Sequence, residues 1–169
     1  MSHGDIIEPS EGIRVFDVSE SSEATRILYV DNNPSTLMGL IHKFLKMHSR
    51  GTYSMHGADS YHRAVQLFGE NDLVLYGLHE QLGDSIDFTG QAIAAGIKTV
   101  VFSCDFRSRS ELLRKGVDAF VGKDHDSPLQ KLAYTIDAVV HGYDASRPEQ
   151  REIRGYLHPE LVIGRGAQE

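Results

Sequence analysis

The sequence has a single cysteine and no long apolar run, and both absences limit the class of protein. Because one thiol cannot form a disulfide within the chain, Cys104 excludes a small disulfide-stabilised secreted domain and favours a reducing compartment. No apolar stretch is long enough to cross a bilayer, and residues 1–25 lack the basic start and apolar centre of a secretion signal. We therefore expect a soluble, cytoplasmic protein without membrane contact.

Motifs of common catalytic and metal-binding sites are also missing. The glycines do not have the spacing of a phosphate-binding loop, and the G-x-S-x-G motif of hydrolases does not occur. The nine histidines are scattered, without the i, i+4 pair or the cysteine partners that are typical of a zinc site. These absences predict a protein with no enzymatic activity, no cofactor and no metal.

Basic charge is scarce, and acidic charge is concentrated at one end. Most of the net charge of −7 comes from residues 1–25, whereas residues 26–142 are nearly balanced. Lys and Arg in this balanced segment form no stripe interleaved with aromatics, so it is poorly suited to binding a phosphate backbone. The sequence therefore predicts an acidic, flexible N-terminal extension over residues 1–25, followed by a domain that does not itself bind DNA.

Short apolar runs recur along the central part of the chain and predict the strands of one sheet. They cover residues 26–31, 52–56, 72–77, 98–103 and 118–122. The first, third and fourth are almost continuously apolar, which is typical of strands buried on both faces of a parallel sheet. Helical spacing of apolar residues lies between them, beginning for example at Asn33-Pro34. This alternation predicts an α/β fold with a doubly wound, five-stranded parallel sheet.

The residues at the ends of these strands are the candidates for chemistry, because the carboxyl ends of parallel strands meet in one crevice. They are Asp31, Asn32, Gly77, Ser103 and Lys123. These positions at the carboxyl ends of the strands are called the rim. An acid, a hydroxyl and a lysine at one rim indicate a functional site. Each also has a simpler interpretation: Asp31 can cap the next helix, Ser103 can end a buried strand, and Lys123 can be an ordinary surface lysine.

This set of residues on a (βα)5 pattern resembles the receiver domain of two-component response regulators, over about residues 26–142. The resemblance implies that Asp31 matches the first acid of a Mg²⁺-binding pair, with Asn32 in place of the second. It also implies that Ser103 matches the hydroxyl that contacts the phosphoryl group and that Lys123 matches the lysine that pairs with it. The fold and the signalling role of receivers are therefore what we expect here.

The sequence departs from the receiver pattern where the phosphoryl group is attached, because Gly77 occupies the position of the phosphoacceptor aspartate. Glycine has no side chain to phosphorylate, and the loss of a carboxylate makes the set a poor Mg²⁺ site. Tyr76 lies on the opposite face of the strand, and His79 lies in the following loop, so neither is a good substitute. We therefore predict a vestigial phosphorylation site on which standard aspartyl phosphorylation fails.

Two further roles depend on this resemblance. Phe120 matches the aromatic residue that receivers use as a switch, and core packing is the alternative for an aromatic in a strand. With one carboxylate missing, an ion pair between Asp31 and Lys123 is the expected resting arrangement of the crevice. Such a pair predicts a site that stays in one state.

Residues 143–169 are predicted to be a linker and C-terminal tail, because they are polar and contain few apolar residues at first. The end of the predicted domain and the later sequence GYLHPEL resemble the linker region of NarL/LuxR-type transcriptional regulators. In that family the chain continues into a helix-turn-helix module, so any DNA contact would come from such a module, which this chain does not contain.

A homodimer is the expected assembly. Apolar residues in the last two helices exceed one inward stripe, and they include Leu113, Tyr134 and Val139. They predict a dimer contact, and the alternative is a solvated flank with ordinary exposed apolar atoms.

Together these observations favour a non-enzymatic signalling module, an atypical receiver of a LuxR-type response regulator that controls transcription through dimerisation. The alternative is a ligand-sensing pseudo-receiver in which Lys123 and helix N-termini hold a small anion in the vacated crevice. A protein partner is a further candidate regulator. A flavodoxin-like enzyme would require a phosphate loop or a nucleophile that the sequence does not contain.

Overall fold

In the computed structural model, a seven-stranded β-sheet separates two layers of helices. The structure describes residues 6–7, 15–18, 23–77, 82–123 and 126–167. The strands are β1 (Ile6–Ile7), β2 (Val15–Val18), β3 (Thr25–Val30), β4 (Tyr53–Ala58), β5 (Leu73–Tyr76), β6 (Lys98–Ser103) and β7 (Ala119–Gly122). The helices are α1 (Ser35–His48), α2 (Tyr61–Val65), α3 (Leu82–Ala95), α4 (Arg109–Lys115), α5 (Pro128–His141), α6 (Pro148–Glu152) and α7 (Pro159–Ala167).

The order of strands in the sheet is β1-β2-β4-β3-β5-β6-β7. Strands β3 to β7 are parallel to their neighbours, whereas β1 and β2 pair antiparallel at one side. The predicted α/β fold with five parallel strands is therefore confirmed. The parallel part of the sheet begins at β3 and continues outward on both sides of it, so the carboxyl ends of β3 and β5 lie next to each other in the middle.

Alternation along the parallel strands builds two separate cores, one on each face of the sheet. On one face Ile27, Tyr29 and Leu75 pack with residues of α1 and α5. On the other face Val74 and Tyr76 pack with residues of α2, α3 and α4. Both faces are covered, which is why the central strands read as continuous apolar runs rather than as alternating ones.

The N-terminal segment is more ordered than the sequence predicted. Instead of a flexible extension throughout, residues 6–7 and 15–18 form strands β1 and β2, and Phe16 pairs with Gly57 of β4. The runs of two and four residues have mostly residues that favour strands, but they are too short and too close to acidic residues to predict a strand. Their hydrogen-bonding partners are supplied by the free side of β4, which only the assembled sheet presents.

The prediction of a linker directly after Gly142 was wrong for the segment up to residue 157. Gln150, Ile153 and Leu157 are buried, and Leu157 forms an antiparallel bridge to Ala119 at the outer side of β7. Apolar residues are too sparse in this segment to give a periodic signal, so its packing was not visible in the sequence. The segment closes the side of the sheet that β7 would otherwise leave open.

The predicted dimer contact is also changed by this packing. Val139 is buried in the core on the α5 face and is not available to a partner. Tyr134 is half-buried, and its carbonyl accepts a hydrogen bond from the side chain of Gln150. Of the three residues, Leu113 alone lines an open groove, which lies between α4 and α7. The excess of apolar residues in α5 is therefore explained by contacts within this chain.

Candidate functional site

The candidate site lies where the parallel strands end, and Asp31 is its acidic member. Asp31 follows β3 directly, and its backbone N–H donates to the carbonyl of Ala58 at 3.1 Å. The chain then turns into α1 across β4, where Gly57 leaves room for Pro34. A Cβ atom at Gly57 would lie 2.8 Å from the Pro34 Cβ atom, so only glycine allows this close approach.

The carboxylate of Asp31 has a neutral partner in the same strand. Tyr29 is buried, and its hydroxyl donates to Asp31 Oδ2 at 2.8 Å. Burial raises the pKa of Tyr29 above its ordinary value, and the hydrogen bond and negative charge of Asp31 raise it further. The phenol is therefore a neutral hydrogen-bond donor at physiological pH. Asn32, the neighbour that replaces the second acid, is exposed.

Gly77 follows β5 in the middle of the sheet and is buried. Val30 pairs with Tyr76, so Asp31 and Gly77 come next on adjacent strands. The Gly77 carbonyl accepts a hydrogen bond from the Tyr61 hydroxyl at 2.6 Å, and the same hydroxyl lies 2.8 Å from Ser85 Oγ. The backbone oxygen at this position is thus engaged by a residue that the sequence did not indicate.

Ser103 and Lys123 lie at the ends of β6 and β7. The Ser103 hydroxyl accepts from the backbone N–H of Asp105 at 3.1 Å, and the Lys123 N–H donates to the Ser103 carbonyl at 3.0 Å. The Lys123 ammonium lies 5.3 Å from the centre of the Phe102 ring. This is the geometry of a cation–π contact, and it places the charge on an aromatic face at the rim.

The expected ion pair between Asp31 and Lys123 was wrong. Among the ion pairs of the described residues, none joins these two side chains. Each charge has a different partner, because Asp31 accepts from Tyr29 and Lys123 lies on Phe102. A neutral hydroxyl and an aromatic ring satisfy the two charges where they stand, without bringing them together.

The topology brings Asp31, Gly77, Ser103 and Lys123 to one end of the sheet, because each follows the carboxyl end of a parallel strand. Their receiver-like roles remain predictions. Phe120 is fully buried and packs in the core on the face of α2, α3 and α4. That position agrees with core packing, and its switch role also remains a prediction.

The two candidate substitutes for the missing acceptor are not at the rim of the described structure. Tyr76 is buried on the opposite face from Tyr29, and its hydroxyl is hydrogen-bonded to that of Thr89. Burial raises its pKa as well, so its oxygen is neither charged nor accessible. His79 lies outside the described residues.

A divalent cation of the kind that receivers bind does not fit the donors described here. Mg²⁺ prefers oxygen ligands that include one or two carboxylates. Three described carboxylates follow these strands, and each already has a partner: Asp31 Oδ2 accepts from Tyr29, Asp59 pairs with Arg63, and Asp105 pairs with Arg107. Throughout the residues that the structure describes, no group of three or more His, Cys, Asp or Glu side chains could hold a metal ion. The donor set therefore disagrees with the Mg²⁺ site that the resemblance to receivers implies.

An open groove of about 510 Å³ runs between α2 and α3, and sequence reasoning did not find it. Its floor is formed by Tyr61 and Phe88, whose rings stack with centres 4.5 Å apart. Asp84 and Asp87 line the opening of this groove and are exposed. Two carboxylates at the mouth make this groove unsuited to an anionic ligand. Acids in the first turns of α3 also have a structural reason, since they lie near the positive end of the helix dipole.

Comparison with known proteins agrees with this architecture. An orphan response regulator of H. pylori is similar over 69% of this chain and 96% of its own, with 21% identity and a TM-score of 0.56. A response regulator of Thermotoga maritima, solved in complex with Mg²⁺ and BeF, is similar over 68% of this chain and 98% of its own, with 19% identity and a TM-score of 0.55.

The receiver domain of a putative LuxO repressor protein from Vibrio parahaemolyticus covers a larger share, 83% of this chain and 98% of its own, at 16% identity and a TM-score of 0.52. No protein-family model matches the chain, and no curated protein matches its sequence. At these identities the likeness shows the fold alone. The chain therefore has the fold of response-regulator receiver domains, and it spans nearly the whole length of the receivers to which it is similar.

Among the described helices, none combines the length and the apolar character that crossing a bilayer requires.

Proposed function

We propose that this chain is an atypical receiver module that transmits signals through contacts with partners and not through phosphotransfer. The observation that carries the proposal is Gly77, which stands buried at the end of β5 beside Asp31, where the receiver pattern requires an aspartate. Phosphotransfer to a receiver needs a carboxylate nucleophile and a bound divalent cation. Position 77 supplies no carboxylate, and the described residues contain no group of three or more His, Cys, Asp or Glu that could hold a metal ion. In place of phosphotransfer, Asp31 and the Gly77 carbonyl are held by hydrogen bonds from Tyr29 and Tyr61.

In this proposal the module is non-enzymatic and cytoplasmic, and it controls transcription through a homodimer and an attached output module. The support is the resemblance to NarL/LuxR-type regulators and the similarity to the receiver of a putative LuxO repressor. The groove between α4 and α7, which includes Leu113 and the exposed Ile163, is the apolar surface that we assign to the partner contact. DNA contact belongs to the output module.

Labelling by a small phosphodonor tests the central statement. We expect acetyl phosphate with Mg²⁺ to leave the unaltered protein unlabelled in intact-mass measurements, because the residue beside Asp31 on the adjacent strand is Gly77, which has no carboxylate. Non-specific labelling of Glu or Asp side chains elsewhere on the surface sets the background level for this measurement. Stoichiometric labelling of the unaltered protein would overturn the proposal, and mapping the modified residue would identify the true acceptor.

The solution mass of the protein tests the mode of signalling. A contact-driven module is expected to have the same oligomeric state with and without the phosphodonor. A dimer that forms only after donor treatment would contradict the proposal, since that response is the behaviour of a phosphorylated receiver.

A further inference from the structure

Tyr29 occupies an unusual place for a tyrosine, in the central strand and directly below the rim. Residues two apart in a strand point to the same face, so Tyr29 and Asp31 share the face that packs on α1 and α5. The Tyr29 side chain is 3% exposed, and its hydroxyl reaches Asp31 Oδ2 at 2.8 Å. The ring therefore lies along the strand, with its polar end at the carboxylate.

This contact changes what Asp31 can bind. Hydrogen bonds from a hydroxyl to a carboxylate are charge-assisted and stronger than those between neutral groups. The hydroxyl occupies one lone pair of Oδ2 and withdraws negative charge from the carboxylate. A cation that takes this lone pair must displace the hydroxyl, and the buried phenol is then left without the acceptor that it has here.

We propose that Tyr29 is an internal, neutral replacement for the cation beside Asp31, and that its hydroxyl closes the rim to divalent metals. The inference rests on the proposed function, because it explains how a receiver fold without an acceptor keeps its remaining acid fixed. It adds a second barrier to metal binding, besides the lack of a side-chain carboxylate at position 77. Restoring acids alone should therefore restore little affinity while Tyr29 retains its hydroxyl.

The test restores the acidic pair at an exposed position and then removes the hydroxyl. Asn32 is exposed, so Asn32→Asp adds a second carboxylate without disturbing the core. Tyr29→Phe in this background keeps the ring and deletes the oxygen. Tyr76→Phe in the same background is the matched control, because it deletes another buried tyrosine hydroxyl on the opposite face of the sheet. Mn²⁺ is the probe, and water proton relaxation measures its binding.

We expect Asn32→Asp and Asn32→Asp/Tyr76→Phe to bind Mn²⁺ with similar weak affinity. Asn32→Asp/Tyr29→Phe should bind about tenfold more tightly or better, which corresponds to about 1.4 kcal/mol. Equal affinity of all three proteins, each shown to be folded by circular dichroism, would overturn the role of Tyr29. So would a gain from Tyr76→Phe as large as that from Tyr29→Phe.

These outcomes are separable from the fate of the proposed function. Phosphodonor labelling of the unaltered protein would reject a non-phosphorylated receiver and leave the Mn²⁺ comparison to be judged by itself. If Tyr29→Phe instead prevents folding, Asp31→Asn in the Asn32→Asp background gives the second measurement. It removes the charge that Tyr29 engages while leaving the second carboxylate, so Mn²⁺ affinity unchanged by Asp31→Asn supports a closed Asp31. A large loss of affinity overturns the proposal, because it shows that Asp31 binds metal despite Tyr29.

Discussion

Two carboxylates at opposite ends of the sheet, Asp31 and Asp137, have different kinds of partner. At the carboxyl end, Asp31 is half-buried and its partner is the neutral hydroxyl of Tyr29. At the amino end, where α1 and α5 finish, the Asp137 side chain is 1% exposed and lies 3.0 Å from Arg50 Nε and 3.6 Å from Arg147 Nη1. The ion pairs at the carboxyl end, Asp59 with Arg63 and Asp105 with Arg107, join near neighbours in sequence, whereas Asp137 pairs with residues from distant parts of the chain.

The network around Asp137 joins three separate parts of the chain. Arg50 precedes β4, Asp137 belongs to α5, and Arg147 and Gln150 belong to the segment after α5. Asp137 also accepts the backbone N–H of Arg50 at 3.2 Å. A buried carboxylate is stable when its oxygens are both paired and hydrogen-bonded, as they are here. The comparison teaches that charge in this domain stabilises the fold at one end and is neutralised locally at the other.

Removing each carboxylate is the strongest way to break this comparison. Asp137→Ala is expected to lower the free energy of unfolding by roughly 3 kcal/mol, the low end for a broken buried pair, because the arginine partners are partly exposed and can be hydrated. Asp31→Ala should cost less, about 1–2 kcal/mol, because it removes one hydrogen bond at a half-exposed position and leaves the buried Tyr29 hydroxyl without its acceptor. Urea unfolding measures both, and equal losses would refute the contrast between the two ends.

The packing of the C-terminal segment can be tested with a slightly smaller effect. Leu157→Ala should cost roughly 2–3 kcal/mol, at the low end for a buried leucine, because its site at the margin of the sheet can partly collapse. Met47→Ala is the control: Met47 is 61% exposed on α1, away from the proposed partner contact, and its truncation should change stability by less than about 0.5 kcal/mol. Thermal and urea unfolding give both values. If Leu157→Ala left the stability unchanged, residues 143–157 would be a linker, as the sequence predicted.

Alkaline titration sharpens the comparison at the level of single tyrosines. Burial raises the pKa of Tyr53, at the amino end, to about 12, and the charge of Asp137 raises it while its hydrogen bond with Ser49 lowers it. The raised pKa of the folded state means that the associated stability is complete below pH 10 and is lost as the pH rises from 10 through 12. The loss for Tyr53 is about 1 kcal/mol at pH 11.

Ultraviolet absorbance of tyrosinate measures this titration directly, because the chain has 7 tyrosines and no tryptophan. The tyrosinate absorbance of Tyr29 and Tyr53 should appear only as the protein unfolds. The variants Tyr29→Phe and Tyr53→Phe assign the contribution of each residue. Titration of both residues near pH 10 in the folded protein, monitored by circular dichroism, would contradict their burial and the hydrogen bonds at both ends.

The sequence was most informative where burial imposes a simple pattern. Short recurring apolar runs, three of them almost continuously apolar, predicted the five parallel strands, and the run Lys98–Ser103 agrees with β6 at both of its ends. The placement of Asp31, Gly77, Ser103 and Lys123 at one end of the sheet followed from this order alone, because parallel strands align their carboxyl ends. Such features depend on local composition and on a general rule of topology.

Other features depend on which side chains meet across the fold, and these were missed. The Asp31–Lys123 pair was expected from opposite charge, yet Tyr29 and Phe102 were available as closer partners. Tyr29 reads in the sequence as one more apolar residue of a buried strand, so its hydroxyl gave no signal. The bond from Tyr61 to the Gly77 carbonyl joins residues of different elements and was equally hidden.

By itself, the sequence determined a doubly wound α/β domain, the position of its rim and the absence of an acceptor side chain at residue 77, because these follow from periodicity and residue identity. Tertiary structure alone decided the partners of each charge, the pairing of residues 15–18 with β4 and the packing of residues 143–157 against α5 and β7. The physical reason is that short polar-rich segments bury too little apolar surface to fold alone. They become ordered only where the completed sheet offers them hydrogen-bond partners and an apolar surface.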